Sequence, residues 1–142
     1  MNSRFNDPHR AQRDLLRGCE LLGGLPPDVL SELVAASRIV ELSANRSLYE
    51  AGELIREAHI LFNGSVKRAV SMPGGATRVI EIVQNEQLLG MGEVFSASHY
   101  ASTCSGITHA LLVAIDIRKL RDTVLHRPEL SCRIITAPAR RP

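Results

Sequence analysis

The 142-residue sequence predicts a mainly β domain, a β-roll or jelly-roll of about eight short strands with two helices before it and two after. Three observations carry that prediction. Apolar residues near both ends recur at helical spacing, the period shortens to that of strands from residue 37, and glycine, proline and asparagine punctuate the middle every several residues.

The first helix is predicted from Asp7 as cap and Pro8 as first helical residue, with Leu15, Leu16, Cys19 and Leu22 as its apolar side and Gly23-Gly24 as its end. The second begins at Pro26-Pro27-Asp28. Leu25 packs back on Leu30 there, and Leu30, Leu33 and Val34 face the core. The helices together span 8–36. Strands follow near 38–42, 46–49, 58–62, 65–71, 77–83, 87–90, 102–105 and 109–115, which makes the roll 37–115. Asn63-Gly64 between two apolar runs predicts a hairpin, because both turn positions favour positive φ. Pro73-Gly74-Gly75 predicts another, and Gly52, Gly90 and Gly92 mark further turns. Asp116 caps a third helix carrying Ile117, Leu120 and Val124. Pro128 opens a fourth with Leu130, Ile134 and Ile135, ending before Pro138, so these two helices span 116–137.

At 15.6 kDa the chain is one domain, 1–142. With 44% hydrophobic residues it has material for a core, and 23% charged residues with a net charge of +2 exclude disorder. The same balance excludes a surface built wholly for nucleic acid, and 4% aromatics excludes a base-stacking platform. The longest clean apolar run, residues 110–115, is too short to span a bilayer, and the polar N-terminus has no signal-peptide core. Cys19, Cys104 and Cys132 are widely spaced, which predicts a reduced, cytoplasmic protein with no disulfide framework.

Three stretches stand out in order: Leu48-Tyr49-Glu50-Ala51-Gly52-Glu53, Leu61-Phe62-Asn63-Gly64-Ser65-Val66-Lys67, and Gly90-Met91-Gly92-Glu93-Val94-Phe95. With the closing Ala114-Ile115-Asp116, a helix and Arg127-Pro128-Glu129, the chain resembles the sensor domain of the CRP/FNR family of bacterial transcription regulators over residues 12–137. The resemblance implies a cyclic-nucleotide-binding fold that takes a small-molecule effector and passes its presence allosterically to a DNA-binding part. It also implies a homodimer through the C-terminal helix. The helix-turn-helix domain that such regulators carry is absent from these residues, so DNA is a partner only through that missing domain.

In nucleotide-binding members a Gly-Glu turn and a following Arg-Ser/Thr-Ala stretch hold the phosphate. Glycine lets the backbone approach, the Glu accepts from the ribose hydroxyl, and the Arg neutralises the phosphate with a forked donor. By resemblance the candidate ligand residues here are Gly92, Glu93 and Val94, then Tyr100, Ser102 and Thr103. Tyr100 stands on or beside the Arg position, and no Lys or Arg occurs from Val79 through Ile117. A buried monoanion without a cation is costly, so cyclic nucleotide is not expected to bind tightly unless Lys67 or Arg78 reaches in from a neighbouring strand.

Tyr at that place also resembles the haem or gas-sensing branch of the family. That reading makes His99 the candidate haem ligand, with His59, His109 and the Cys104 thiolate behind it. An effectorless interaction module is the third reading. No His-x-His, Gly-x-Ser-x-Gly or phosphate-loop signature occurs, so neither an enzyme nor a metal site is predicted. Lys67-Arg68 reads as solvated strand, and Arg118, Lys119 and Arg121 as the wet side of a helix.

Overall fold

The computed structural model describes residues 7–130. Two short helices, α1 (Arg10–Gly18) and α2 (Pro27–Ala35), precede eight strands: β1 (Ser37–Leu42), β2 (Ser47–Tyr49), β3 (Glu57–Asn63), β4 (Val66–Ser71), β5 (Thr77–Val83), β6 (Gln87–Leu88), β7 (Thr103–Gly106) and β8 (Ala110–Asp116). Helix α3 (Met91–Ser96) lies between β6 and β7, and α4 (Ile117–His126) follows β8. The strands form two antiparallel sheets, ordered β1-β8-β3-β6 and β2-β7-β4-β5. The predicted β-roll with flanking helices is therefore the observed class.

The core gathers residues from both sheets and the helices: Ile60 and Leu112 from one sheet, Val66 and Cys104 from the other, Leu16, Leu33 and Leu120 from the helices. Each large aliphatic side chain buried there stabilises the fold by about 1.5–3 kcal/mol. β8 is an unbroken apolar run because β1 and β3 flank it and both its faces are covered. At its end Asp116 Oδ1 accepts from Arg118 N at 2.9 Å and Lys119 N at 3.1 Å, the predicted cap of α4.

Four expectations change. Asp7 does not cap α1: its Oδ1 accepts from His9 N at 2.9 Å, which makes a turn of Pro8 and His9 and delays the helix to Arg10. That helix stops at Gly18, not at Gly23-Gly24, and buried Cys19 and Leu22 sit in the turns after it. Gly23 is needed there because a Cβ would stand 2.6 Å from the Arg17 carbonyl oxygen.

Asn63-Gly64 is not a hairpin. β3 belongs to the first sheet and β4 to the second, so the pair carries the chain across the roll. Asn63 ends β3 opposite Leu111, and only Gly64 takes positive φ, +86°. A Cβ on Gly64 would lie 2.1 Å from the His109 carbonyl oxygen, so close approach fixes this glycine. By contrast Pro73-Gly74-Gly75 does close the β4–β5 hairpin, with Met72 N donating to Ala76 O at 2.7 Å. Gly92 is the second residue of α3 rather than a turn. Of the helix expected after Pro128, residues 128–130 are helical, and Ile134 and Ile135 lie outside the described residues.

Candidate functional site

The site is built around α3. Gly90 takes the left-handed conformation, φ +56°, and turns the chain into a helix of six residues. Val94 anchors that helix in the core and Glu93 projects from its first turn. β4 and β5 supply the opposite wall. Alternation along β4 sends Val66 and Arg68 to the same inner face. The pairing of Arg68 with Glu81, followed by Ala69 with Val79, leaves Ile80 as a bulge. The bulge leaves Arg68 and Glu81 directly opposite each other.

The Arg68 guanidinium is a cation at the Gly-Glu turn, where the sequence predicts none unless Lys67 or Arg78 reaches in. Its Nη1 donates to Glu81 Oε1 and its Nη2 to Glu93 Oε1, with the Arg68–Glu81 separation 2.6 Å. The three side chains are only 14–17% exposed. Burial opposes the charge, but the hydrogen bonds to Glu81 and then Glu93 outweigh it and hold the Arg68 pKa above its ordinary value. Lys67 and Arg78 instead sit at cross-strand positions, opposite Ile82 and Val70.

Glu93 is further satisfied from the loop before β7: Ala101 N donates to Oε2 at 2.8 Å and Ser102 Oγ to Oε1 at 3.2 Å. Arg121 of α4 grips the other end of α3, its Nε donating to Val94 O at 2.8 Å and its Nη2 to Ala97 O at 2.9 Å. A cavity of about 450 Å³ opens beside this network, with Arg68, Glu81, Gly90, Gly92, Glu93 and Ser96 among its lining residues.

Under Gly90, Tyr49 and Tyr100 stack with ring centroids 3.6 Å apart and planes 8° from parallel. The Tyr100 hydroxyl donates to Glu57 O at 2.8 Å, so its ring fills the roll instead of reaching the cavity. Burial pushes the Tyr49 hydroxyl up and the neighbouring Cys104 thiol up to about 12, with Arg68 opposing both shifts. Cys104 is thus a neutral thiol at pH 7, not the thiolate considered from the sequence. Arg68 Nε is buried without a hydrogen-bond partner, and Tyr49 Oη has only the weak Cys104 thiol.

Among the sequence candidates, Gly92 and Glu93 line the cavity and Ser102 meets them through Glu93. Val94 is in the core, and Thr103 Oγ1 accepts from Ala51 N at 3.0 Å, tying down the loop after β2. His99 is exposed beside Ser98 Oγ, 2.8 Å from its Nδ1. His59 is buried in β3, and His109 is exposed next to Glu41. Arg68, Glu81, Tyr49 and Arg121 are the site residues that sequence reasoning missed.

A two-sheet roll with a Gly-Glu helix against a polar cavity defines a cyclic nucleotide-binding domain. Residues 39–127 match the model of the cyclic nucleotide-binding domain family, and the chain belongs to that family. It is 23% identical over 128 residues to the CRP-like cAMP-activated global transcriptional regulator of Mycobacterium tuberculosis, a match covering 90% of this chain and 57% of that protein. The chain thus spans little more than half the length of its curated relatives. In structure it resembles the sensor domain of the transcriptional regulator DNR from Pseudomonas aeruginosa, with TM-score 0.78, 20% identity, and 92% and 88% of the two chains covered. A cAMP-binding acyltransferase from Mycobacterium smegmatis shares the fold at TM-score 0.75 and 17% identity, over 89% of this chain and 39% of that one. The expected kinship with CRP/FNR sensor domains is borne out.

Proposed function

We propose that the chain is the effector-sensing part of a CRP-like transcription regulator, without catalytic activity of its own. A small molecule enters the cavity between α3 and the β4–β5 wall and biases the segment after β8. DNA binding and dimerisation through the helix begun at Pro128 belong to the parent regulator, acting in the cytoplasm. Among the described residues no helix is long and apolar enough to cross a membrane.

One observation carries this reading: the cation that faces the cavity, Arg68, is already shared between Glu81 and Glu93. Glu93 in turn has both oxygens occupied by donors of the chain itself. A cyclic nucleotide would have to break these contacts to place its phosphate on Arg68 and its ribose hydroxyl on Glu93. The energy of those buried charge-assisted bonds is subtracted from whatever a phosphate and a ribose hydroxyl gain in their place. The effector that suits the cavity is therefore not a tightly held cyclic nucleotide. Calorimetry with cyclic AMP and cyclic GMP is expected to give dissociation constants above ~100 μM, weaker than about −5.5 kcal/mol. A micromolar isotherm with either would overturn the exclusion of cyclic nucleotide as the effector.

A further inference from the structure

We propose that Arg121 is the strut through which the cavity acts on α4: a positioning residue that holds α3 from behind. The inference rests on reading the cavity as the effector site. With six residues, α3 is too short to hold its place by its own hydrogen bonds. Two polar clamps fix it. On the cavity side Glu93 accepts from Arg68, Ala101 N and Ser102. At the opposite end Arg121 caps the carbonyls of Val94 and Ala97, which a helix terminus leaves without partners inside the helix.

The geometry makes this second clamp directional. A guanidinium is a planar fork, and spanning two carbonyls at 2.8 and 2.9 Å sets both the distance and the angle between α3 and α4. Its positive charge also suits the negative end of a helix. α4 is itself seated by buried Ile117, Leu120 and Thr123 and by the Asp116 cap, so Arg121 springs from a firm base. Because Glu93 and Arg121 hold opposite ends of one short helix, a ligand that shifts Glu93 shifts the carbonyls that Arg121 grips. α4 then leads directly into residues 127–130.

Hydrogen exchange on the ligand-free chain tests the strut. The perturbation is Glu93→Gln, made with Arg121 intact and again with Arg121→Met. The readout is the exchange rate of the α4 amides 121–125 divided by that of β8 amides in the core, since global destabilisation moves both alike. With Arg121 intact, Glu93→Gln is expected to raise that ratio about fivefold or more, and in the Arg121→Met background less than about twofold. Arg121→Lys, whose single ammonium cannot fork, should fall between. A ratio that ignores Glu93→Gln with Arg121 intact, or rises equally in both backgrounds, overturns the proposal. Ser102→Ala, which takes one donor from Glu93, serves as the same perturbation should Glu93→Gln fail to fold. The test contains no effector, so its failure leaves the reading of the cavity standing, and a failed titration leaves the strut standing.

Discussion

His59 sits in β3 at 5% exposure, with the Tyr49 ring 6.1 Å away, centroid to centroid. Burial holds its pKa down at about 4, although Glu57 pulls it up; Arg38 adds to the depression. The unfolded chain therefore binds a proton that the folded chain refuses, between the ordinary value near 6.5 and about 4. The contribution to stability is full above pH 6.5 and is lost as pH falls through that window. Between pH 7 and pH 5 the loss is about 2 kcal/mol from this residue. Urea unfolding of His59→Gln beside the parent protein measures it: the pH dependence over that range should flatten in the variant. An unchanged slope would assign the acid sensitivity to other groups. Arg68 teaches the complementary lesson at this scale. Its neighbour Val66 is fully buried, and one strand period carries Arg68 to the same face. That was the available signal, and the adjacency of Lys67 and Arg68 concealed it. Arg121, likewise, lies four residues from buried Ile117 and so on its side of α4, not the wet side.

Among the elements, the connections separate what period and turn chemistry can tell from what they cannot. Asn63-Gly64 and Gly74-Gly75 look alike as turn signals, yet one crosses between sheets and the other closes a hairpin. The difference shows in what each glycine touches. Gly64→Ala drives a Cβ to within 2.1 Å of the His109 carbonyl oxygen at φ +86°, and the backbone there must move. It is expected to cost at least about 2 kcal/mol, whereas Gly74→Ala, at φ +93° with open space around it, costs about 1 kcal/mol from the left-handed conformation alone. Thermal unfolding of the two variants side by side ranks them; equal losses would mean that crowding at His109 is relieved cheaply. The strands themselves were legible because the core imposes period and apolarity on sequence, as the run from Ala110 to Ile115 makes plain. Sheet membership was not, since Asn-Gly records a local φ preference and not which strand becomes the partner. α3 was hidden for a related reason: six residues that include Gly92 and follow Gly90 carry no helical stripe, and the helix is held by donors to its own Glu93 and by Arg121 from α4.

Across the whole molecule, charge decides what these residues can hold without help. The formal net charge is +2, and many of the cations are committed internally. Arg13 pairs with Asp7, Arg17 with Asp14, Arg38 with Glu57 and Lys119 with Glu32, while Arg68 and Arg121 are spent on α3 and its surroundings. Exposed pairs of this kind add little stability, but each lowers the positive potential that a phosphate backbone would meet. The cations are also spread over α1, β1, β4 and α4 instead of lining one element. Affinity for DNA grows with the number of phosphates neutralised together, and sequence is read only by side chains that reach base edges. Gel shifts of residues 1–142 with promoter fragments at physiological salt are therefore expected to show no sequence-dependent complex. A weak complex that dissolves as salt is raised would fit scattered cations; one that discriminates between fragments and survives added salt would mean that the 142 residues themselves carry a recognition element.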